Sequence, residues 1–180
     1  VVGKLVGRTA VLAVPIVIAL LVGIVLGTVL LGDLAPVATL LLGVVGLLFA
    51  LTYAGIMVGL SATTGSTSRA AALAVGFLLV FEFLWDAVVI GIVYVANGFA
   101  LPAGGFPNWT YPLTQVPPSN AFVTALVAVI PDAPAAAAGG QNPAAIDAFF
   151  GTPWIGLVAL ALWTVVPLVL GFWRFQAADL

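Results

Sequence analysis

Long apolar runs separated by short polar breaks dominate the chain. They cover residues 9–31, 36–60, 69–96 and 153–173. Each run is long enough for a helix that spans a membrane, which needs about 20 apolar residues. The pattern predicts an all-α fold: a polytopic transmembrane helix bundle with four spanning helices plus short extracellular helices. We take residues 1–180 as a single transmembrane domain.

The one long interruption of the apolar pattern is residues 97–152, which are rich in Pro, Gly, Ala and Asn. Within it, NAFVTALVAVI at residues 120–130 is apolar and helical in pattern but too short to cross the bilayer. We expect this run to be interfacial, re-entrant or packed on the other helices. Asp147, in PAAIDAFFG, is predicted to lie on a second short helix.

Composition supports the membrane assignment. The chain is 64% hydrophobic and 6% charged, whereas an average soluble domain is about 25% charged. A net charge of -2 with four scattered basic residues excludes a nucleic-acid surface. The absence of Cys and His excludes disulfides, thiolate and imidazole metal sites, and nucleophile-histidine pairs. We therefore expect no metal and no cofactor in this chain, and an enzyme is not predicted.

The basic residues sort to one side of the predicted topology. Lys4, Arg8, Arg69 and Arg174 share the side that holds both chain ends. The positive-inside rule makes that side cytoplasmic and predicts a multi-pass protein of the cell membrane. The segment 97–152 is then extracellular. Four aromatic residues are expected near the membrane interfaces, where aromatic belts form: Trp109, Tyr111, Trp154 and Trp173.

Small residues spaced four apart mark possible helix contacts within the spans. Gly23 and Gly27 have this spacing in the first span, and Gly55 and Gly59 have it in the second. Such pairs let helix backbones approach closely, but they are common in membrane helices. Each pair is therefore weak evidence that its face of the helix packs against another helix.

Two acids interrupt the most apolar run, in the stretch FEFLWD. Glu82 falls close to the middle of the predicted span 69–96, and Asp86 lies about 6 Å further along a helix. Their i,i+4 spacing places both carboxyls on one face. Because a lipid-facing carboxylate costs roughly 2.5–3.5 kcal/mol, that face is expected to point into a bundle or a wet cavity.

Two interpretations of these acids stay open. Glu82, Asp86 and the intervening Trp85 are candidates for a pathway or coupling site that binds a cation or a proton. Alternatively, the carboxyls are neutral and hydrogen-bonded to Thr, Tyr or backbone groups at a helix interface. Two acids without His or Cys do not define a metal site, and an aspartyl protease dyad would need two facing helices.

Two further residues are candidates for contacts outside the bundle. Arg69, in GSTSRAAA, is either a contact to a cytoplasmic partner or a nucleotide, or an anchor that obeys the positive-inside rule. Asn108, in Asn-Trp-Thr, matches the N-glycosylation acceptor pattern.

The stretches VVGKLVGRTAVLAV, LTYAGIMVGLSATTGSTSRAAALAVG with FEFLWD, PPSNAFVTALVAVIP and GFWRFQAADL together resemble the permease subunits of type-2 ABC transporters. The likeness is greatest to haloarchaeal members similar to the nitrous-oxide-reductase maturation permease. Since such permeases usually have six spans, the resemblance implies that the chain is a C-terminal fragment holding spans three to six.

The resemblance also implies a function. The chain would be the permease of an ATP-driven exporter, forming a homodimer in the lipid bilayer and working with a separate cytoplasmic ATPase subunit that binds ATP and Mg. Consistent with this, the sequence has no G-x-x-x-x-G-K-[ST] phosphate loop. Lys4, Arg8 and Arg69 would lie on the partner side. The alternatives are a membrane assembly or anchoring subunit, and an ion- or proton-conducting protein that uses Glu82 and Asp86.

Overall fold

The described part of the computed structural model is helical and contains no strand; it covers residues 2–31, 36–130 and 149–178. The helices are α1 (Val2–Leu31), α2 (Pro36–Ala62), α3 (Thr67–Leu78), α4 (Trp85–Ala96), α5 (Tyr111–Thr114), α6 (Pro118–Val129) and α7 (Trp154–Ala178). A π-helical turn, Leu79–Leu84, joins α3 to α4. The helical prediction is confirmed. The predicted helix at Asp147 lies outside the described residues.

Three of the described helices are long and apolar enough to cross a bilayer: Val37–Ala62, Thr67–Ala96 and Trp154–Arg174. They match the last three predicted spans to within a few residues. The first predicted span falls in α1, whose described apolar stretch is Ala13–Leu26. The count of four spans stays a prediction.

Helices α2 and α7 pack in parallel through small residues. A methyl group at Gly55 would lie 3.1 Å from the carbonyl oxygen of Thr164, and one at Gly59 would lie 2.5 Å from that of Pro167. Because both contacts advance in the same direction along the two chains, the helices are parallel. The Gly55 and Gly59 pair therefore forms a packing face, whereas a methyl group at Gly23 would meet nothing within 4 Å.

A buried hydroxyl strengthens the contact between α2 and α7. Thr52 is 0% exposed, and its Oγ1 lies 2.9 Å from Oγ1 of Thr164 and 3.3 Å from the carbonyl oxygen of Leu160. A hydroxyl inside an apolar bundle is costly unless it is hydrogen-bonded. The hydroxyl groups of the two threonines form a hydrogen bond with each other. This polar contact lies beside the glycine contact, since Thr164 also faces Gly55.

Helix α6 packs against α7 at another glycine. A methyl group at Gly156 would collide with the carbonyl oxygen of Ala121 and would lie 2.5 Å from the backbone nitrogen of Ala125. The same two alanines are 0% exposed and form an apolar cluster with Val45 and Leu160. This cluster joins α2, α6 and α7.

Residues 108–130, which follow α4 in the chain, turn back into the bundle. The Trp85 indole of α4 contacts Leu113, and the Trp163 indole of α7 contacts Val116. Trp85 lies 11 residues from Ala96 and Trp163 lies nine residues from Trp154, which is about 14–16 Å along each helix at 1.5 Å per residue. We call the end of the bundle at Ala96 and Trp154 the loop end.

Residues 108–130, which we call the re-entrant segment, turn back to this distance from the loop end. Of the arrangements left open for residues 120–130, packing on the other helices is confirmed by the contacts of α6 with α2 and α7, and a re-entrant or interfacial position in the bilayer stays a prediction. Tyr111 is buried at 1% exposure, because it begins α5 inside this segment. The other aromatic residues of the predicted belts are exposed: Trp109, Trp154 and Trp173.

Candidate functional site

The middle of the helix Thr67–Ala96 is not regular α-helix. Residues Leu79–Leu84 form a π-helical turn, in which backbone bonds run from i to i+5. Short π-helical turns inside α-helices are rare and are frequently found at functional sites. Glu82 lies in this turn, 15 residues after Thr67 and 14 before Ala96. Glu82 therefore lies both in the π-helical turn and at the centre of a candidate span.

Glu82 is bonded to a neighbouring helix. The hydroxyl of Tyr53, in α2, donates a hydrogen bond to Oε1 of Glu82 at 2.5 Å. The ring of Tyr53 meets Phe49 edge-on, with ring centroids 4.9 Å apart, and Phe49 stacks on Phe122 of α6 at 4.6 Å. The carboxyl group is thus held against α2 by one hydrogen bond, and the ring of its partner Tyr53 packs against Phe49.

Asp86 has a different environment from Glu82. Its side chain is exposed, whereas Glu82 is half-buried. No hydrogen bond or ion pair joins Asp86 to any residue that the structure describes, and Tyr53 is bonded to Glu82 alone. The two acids of FEFLWD therefore do not form one site with a shared partner. The described helices of this chain cover the face at Glu82 and leave the face at Asp86 open.

Trp85, the third pathway candidate, belongs to an aromatic cluster with Phe77, Phe81 and Trp163. Ring centroids in this cluster are 4.8–5.2 Å apart. The indole of Trp85 donates a hydrogen bond of 2.7 Å to the carbonyl oxygen of Leu113, and that of Trp163 donates one of 2.6 Å to Val116. Trp85 thus contacts the re-entrant segment.

Sequence reasoning did not single out Tyr53 or Trp163. The stretch LTYAGIMVG does carry a signal, because a tyrosine in the middle of an apolar run needs a partner for its hydroxyl. Tyrosine was also one of the partners considered for a neutral acid. Trp163 has no comparable signal, since its partner is a backbone carbonyl 47 residues away in sequence.

Arg69, one of the three partner-side candidates, lies at the same end of the bundle as Arg174. Arg69 is exposed in the first turn of α3 and borders a cavity of about 500 Å³ together with Thr63, Thr64 and Leu73. Arg174, near the end of α7, is also exposed. Since α2 and α7 are parallel and α3 follows α2 after a short turn, the two arginines share the end opposite the loop end.

The remaining candidates are less informative. Lys4 and Arg8 lie in α1, and their side chains are outside the described part of the structure. Asn108 is exposed at the start of a 3-10 turn, Asn108–Thr110. A side chain there is accessible for modification.

The family model described as ABC-2 family transporter protein matches residues 1–180. No curated protein and no solved structure matches the chain.

Proposed function

The chain belongs to the ABC-2 family of transporter proteins, and from this premise we propose that it is the permease of an ATP-driven exporter working by alternating access. A permease subunit of an ABC transporter is a membrane component and is not itself the ATPase. The family match over all 180 residues is the observation that carries the proposal. The three candidate spans and the missing phosphate loop agree with it.

The proposed orientation places the end with Arg69 and Arg174 in the cytoplasm. Lys4 and Arg8 belong to the same side in the predicted topology, and the excess of Lys and Arg on cytoplasmic loops supports the assignment. Both chain ends are then cytoplasmic, and the loop end is extracellular. Asn108 lies on the extracellular side in this orientation, as a glycosylation site requires.

The partner at the cytoplasmic end is a separate ATPase subunit. Arg69 supports this proposal because it is exposed, makes no ion pair with the described residues, and borders a cavity with two hydroxyl groups. An exposed arginine is well suited to bind a carboxylate in two parallel hydrogen bonds. Lys4 and Arg8 are proposed to lie on the same contact surface.

The second partner is another copy of the permease. Only 11% of the apolar window in Thr67–Ala96 is buried inside this chain, compared with 44% for Val37–Ala62. The exposed face also carries Asp86, and a carboxylate is costly in contact with lipid. A homodimer that covers this face removes the cost, so we propose that Asp86 lies at or near the contact between the two copies.

One observation favours a second candidate function. The bond between Tyr53 and Glu82 is what an assembly or anchoring subunit would need, since it joins two helices without any transport path. Ion or proton conduction by Glu82 and Asp86 is the third possibility. The narrower resemblance to haloarchaeal nitrous-oxide-reductase maturation permeases stays a prediction.

The experiment is co-expression with ABC ATPases encoded next to the permease gene, followed by purification in lipid nanodiscs. The expected result is a stable complex whose ATP hydrolysis exceeds that of the ATPase alone. Arg69→Glu should weaken the complex, whereas Arg174→Glu, a matched charge reversal on the last span, should weaken it less. Failure of every neighbouring ATPase to bind the unaltered permease would contradict the proposal.

A further inference from the structure

Two tryptophans from different candidate spans hold the same turn of the re-entrant segment. Trp85 lies at the start of α4 and Trp163 lies in α7, and their indole N–H groups donate to the carbonyl oxygens of Leu113 and Val116. This turn, Leu113–Val116, begins inside the four-residue helix α5, and Pro117 comes directly after it. The last carbonyls of a helix have no partner within the helix. The carbonyl oxygen of Val116 accepts the indole N–H of Trp163, and that of Leu113 accepts the indole N–H of Trp85 together with the backbone N–H of Val116 at 3.2 Å.

The depth of the turn makes these two bonds important. It lies about 14–16 Å from the loop end, measured along α4 and α7. At that depth lipid offers no hydrogen bonds, and irregular backbone is tolerated only where it is buried in protein or lines a water-filled cavity. Without its indole donor the carbonyl oxygen of Val116 therefore needs water as a replacement, and that of Leu113 keeps only the backbone N–H of Val116.

The turn also lies between Glu82 and the loop end. Trp85 is three residues from Glu82 in the direction of Ala96, a rise of about 4.5 Å. Phe122, which follows the turn on α6, stacks on the Phe49 ring that packs against Tyr53. The re-entrant segment therefore packs next to the pair formed by Tyr53 and Glu82, on the side of the loop end.

We propose that Trp85 and Trp163 are positioning residues whose indole N–H groups hold the re-entrant segment as a barrier between Glu82 and the solution at the loop end. This inference rests on the proposed transport function, because a permease needs such a barrier on the closed side of its path. The two donors come from different spans. Any movement of α4 relative to α7 therefore breaks at least one bond and loosens the barrier.

The test uses the absence of cysteine from the chain. A single reporter, Glu82→Cys, is placed in the full chain in oriented vesicles, and a membrane-impermeant thiol reagent is added on the side of the loop end. Trp85→Phe and Trp163→Phe keep the aromatic ring and remove the N–H. Each is expected to raise the reaction rate of the reporter at least about tenfold.

The matched control is Trp154→Phe. Trp154 is 59% exposed at the loop end and forms no hydrogen bond with the described residues, so this change should leave the rate unaltered. A second reporter, Thr52→Cys, lies in the contact between α2 and α7. Its rate should stay low in all variants, and equal acceleration of both reporters would show general loosening and overturn the proposal.

A tryptophan analogue with sulfur in place of the indole N–H provides a second variant if the phenylalanine proteins do not fold. Unchanged rates with this analogue at both positions would also overturn the proposal. Labelling is measured without the ATPase. The barrier can therefore hold even if no ATPase binds, and it can fail in a chain that does form the transporter complex.

Discussion

The hydroxyl of Tyr53 donates a hydrogen bond to the carboxyl group of Glu82 and joins α2 to the π-helical turn. Both groups lie in candidate spans, where an unpaired polar group has no water to replace its partner. The contact therefore serves two purposes. The hydrogen bond offsets the free-energy cost of a carboxyl group in an apolar helix. It also determines which neighbouring helix the carboxyl group faces.

Tyr53→Phe should destabilise the protein by about 1–3 kcal/mol, because the carboxyl group of Glu82 loses its donor. The free energy of unfolding in mixed detergent micelles measures the effect. Tyr94→Phe is the control, since Tyr94 is 42% exposed and should change stability by less than about 0.5 kcal/mol. Equal effects of the two changes would show that the bond with Glu82 contributes nothing to stability.

Glu82→Gln separates the structural role of the acid from a role in transport. The amide oxygen still accepts the bond from Tyr53, so the free energy of unfolding should change by less than about 0.5 kcal/mol. If the charge is used in the path, permease-stimulated ATP hydrolysis in the reconstituted complex should fall at least about tenfold, or about 1.4 kcal/mol in barrier height. Unchanged hydrolysis would reject the path role.

Asp86→Asn is the companion variant. Asp86 has no partner among the described residues of its own chain, so the change should not alter the stability of the monomer. It should instead change the fraction of homodimer, measured by light scattering in nanodiscs or detergent. An unchanged dimer fraction would contradict the proposed position of Asp86 at the contact between copies.

The positions of the described spans were predictable because length and apolarity determine which segments cross a bilayer. The environment of the side chains in FEFLWD was not predictable from the sequence. An i,i+4 pair indicates one shared face, but the sequence shows neither the π-helical turn nor which helices cover that face. Glu82 has a partner because α2 presents Tyr53 at the same level, whereas the described residues of this chain leave Asp86 exposed.

The fold of the re-entrant segment was also only partly predictable from the sequence. The run of residues 120–130 is too short to span, so its length excluded one arrangement and left three. The packing of this run on α7 depends on the close approach of Gly156 to the backbone of Ala121 and Ala125, and the pattern of apolar side chains does not show such a backbone contact. The burial of Tyr111 depends on the fold of this segment in the same way, so the sequence pattern does not predict it.

Gly59→Ala should destabilise the bundle by about 1–3 kcal/mol, the usual cost of overpacking a well-packed contact. The added methyl group would lie 2.5 Å from the carbonyl oxygen of Pro167, and backbone atoms cannot move aside as a flexible side chain can. Gly91→Ala is the matched control, because a methyl group there meets nothing within 4 Å. Comparable losses in both variants would show that helix propensity, and not the contact, is responsible.

Thr52→Val and Thr164→Val should be coupled in a double-mutant cycle. Interhelical hydrogen bonds in membrane proteins contribute about 0.6 kcal/mol on average and up to about 1.7, so a coupling energy in this range is expected. Thr28→Val is the control, since the Thr28 hydroxyl donates only to carbonyl oxygens of its own helix. A coupling energy of zero would mean that the two hydroxyls act independently.

The parallel contact of α2 with α7 also sets a constraint on biosynthesis. Thr52 and Leu160 meet although 108 residues separate them in the chain. At roughly 5–20 residues per second, the ribosome needs about 5–20 s to make the residues between them. During that interval α2 is already synthesised while its glycines and Thr52 still lack their partner helix. The bundle can therefore close only late in translation, and a chaperone or the insertion machinery has time to act on the unpaired α2.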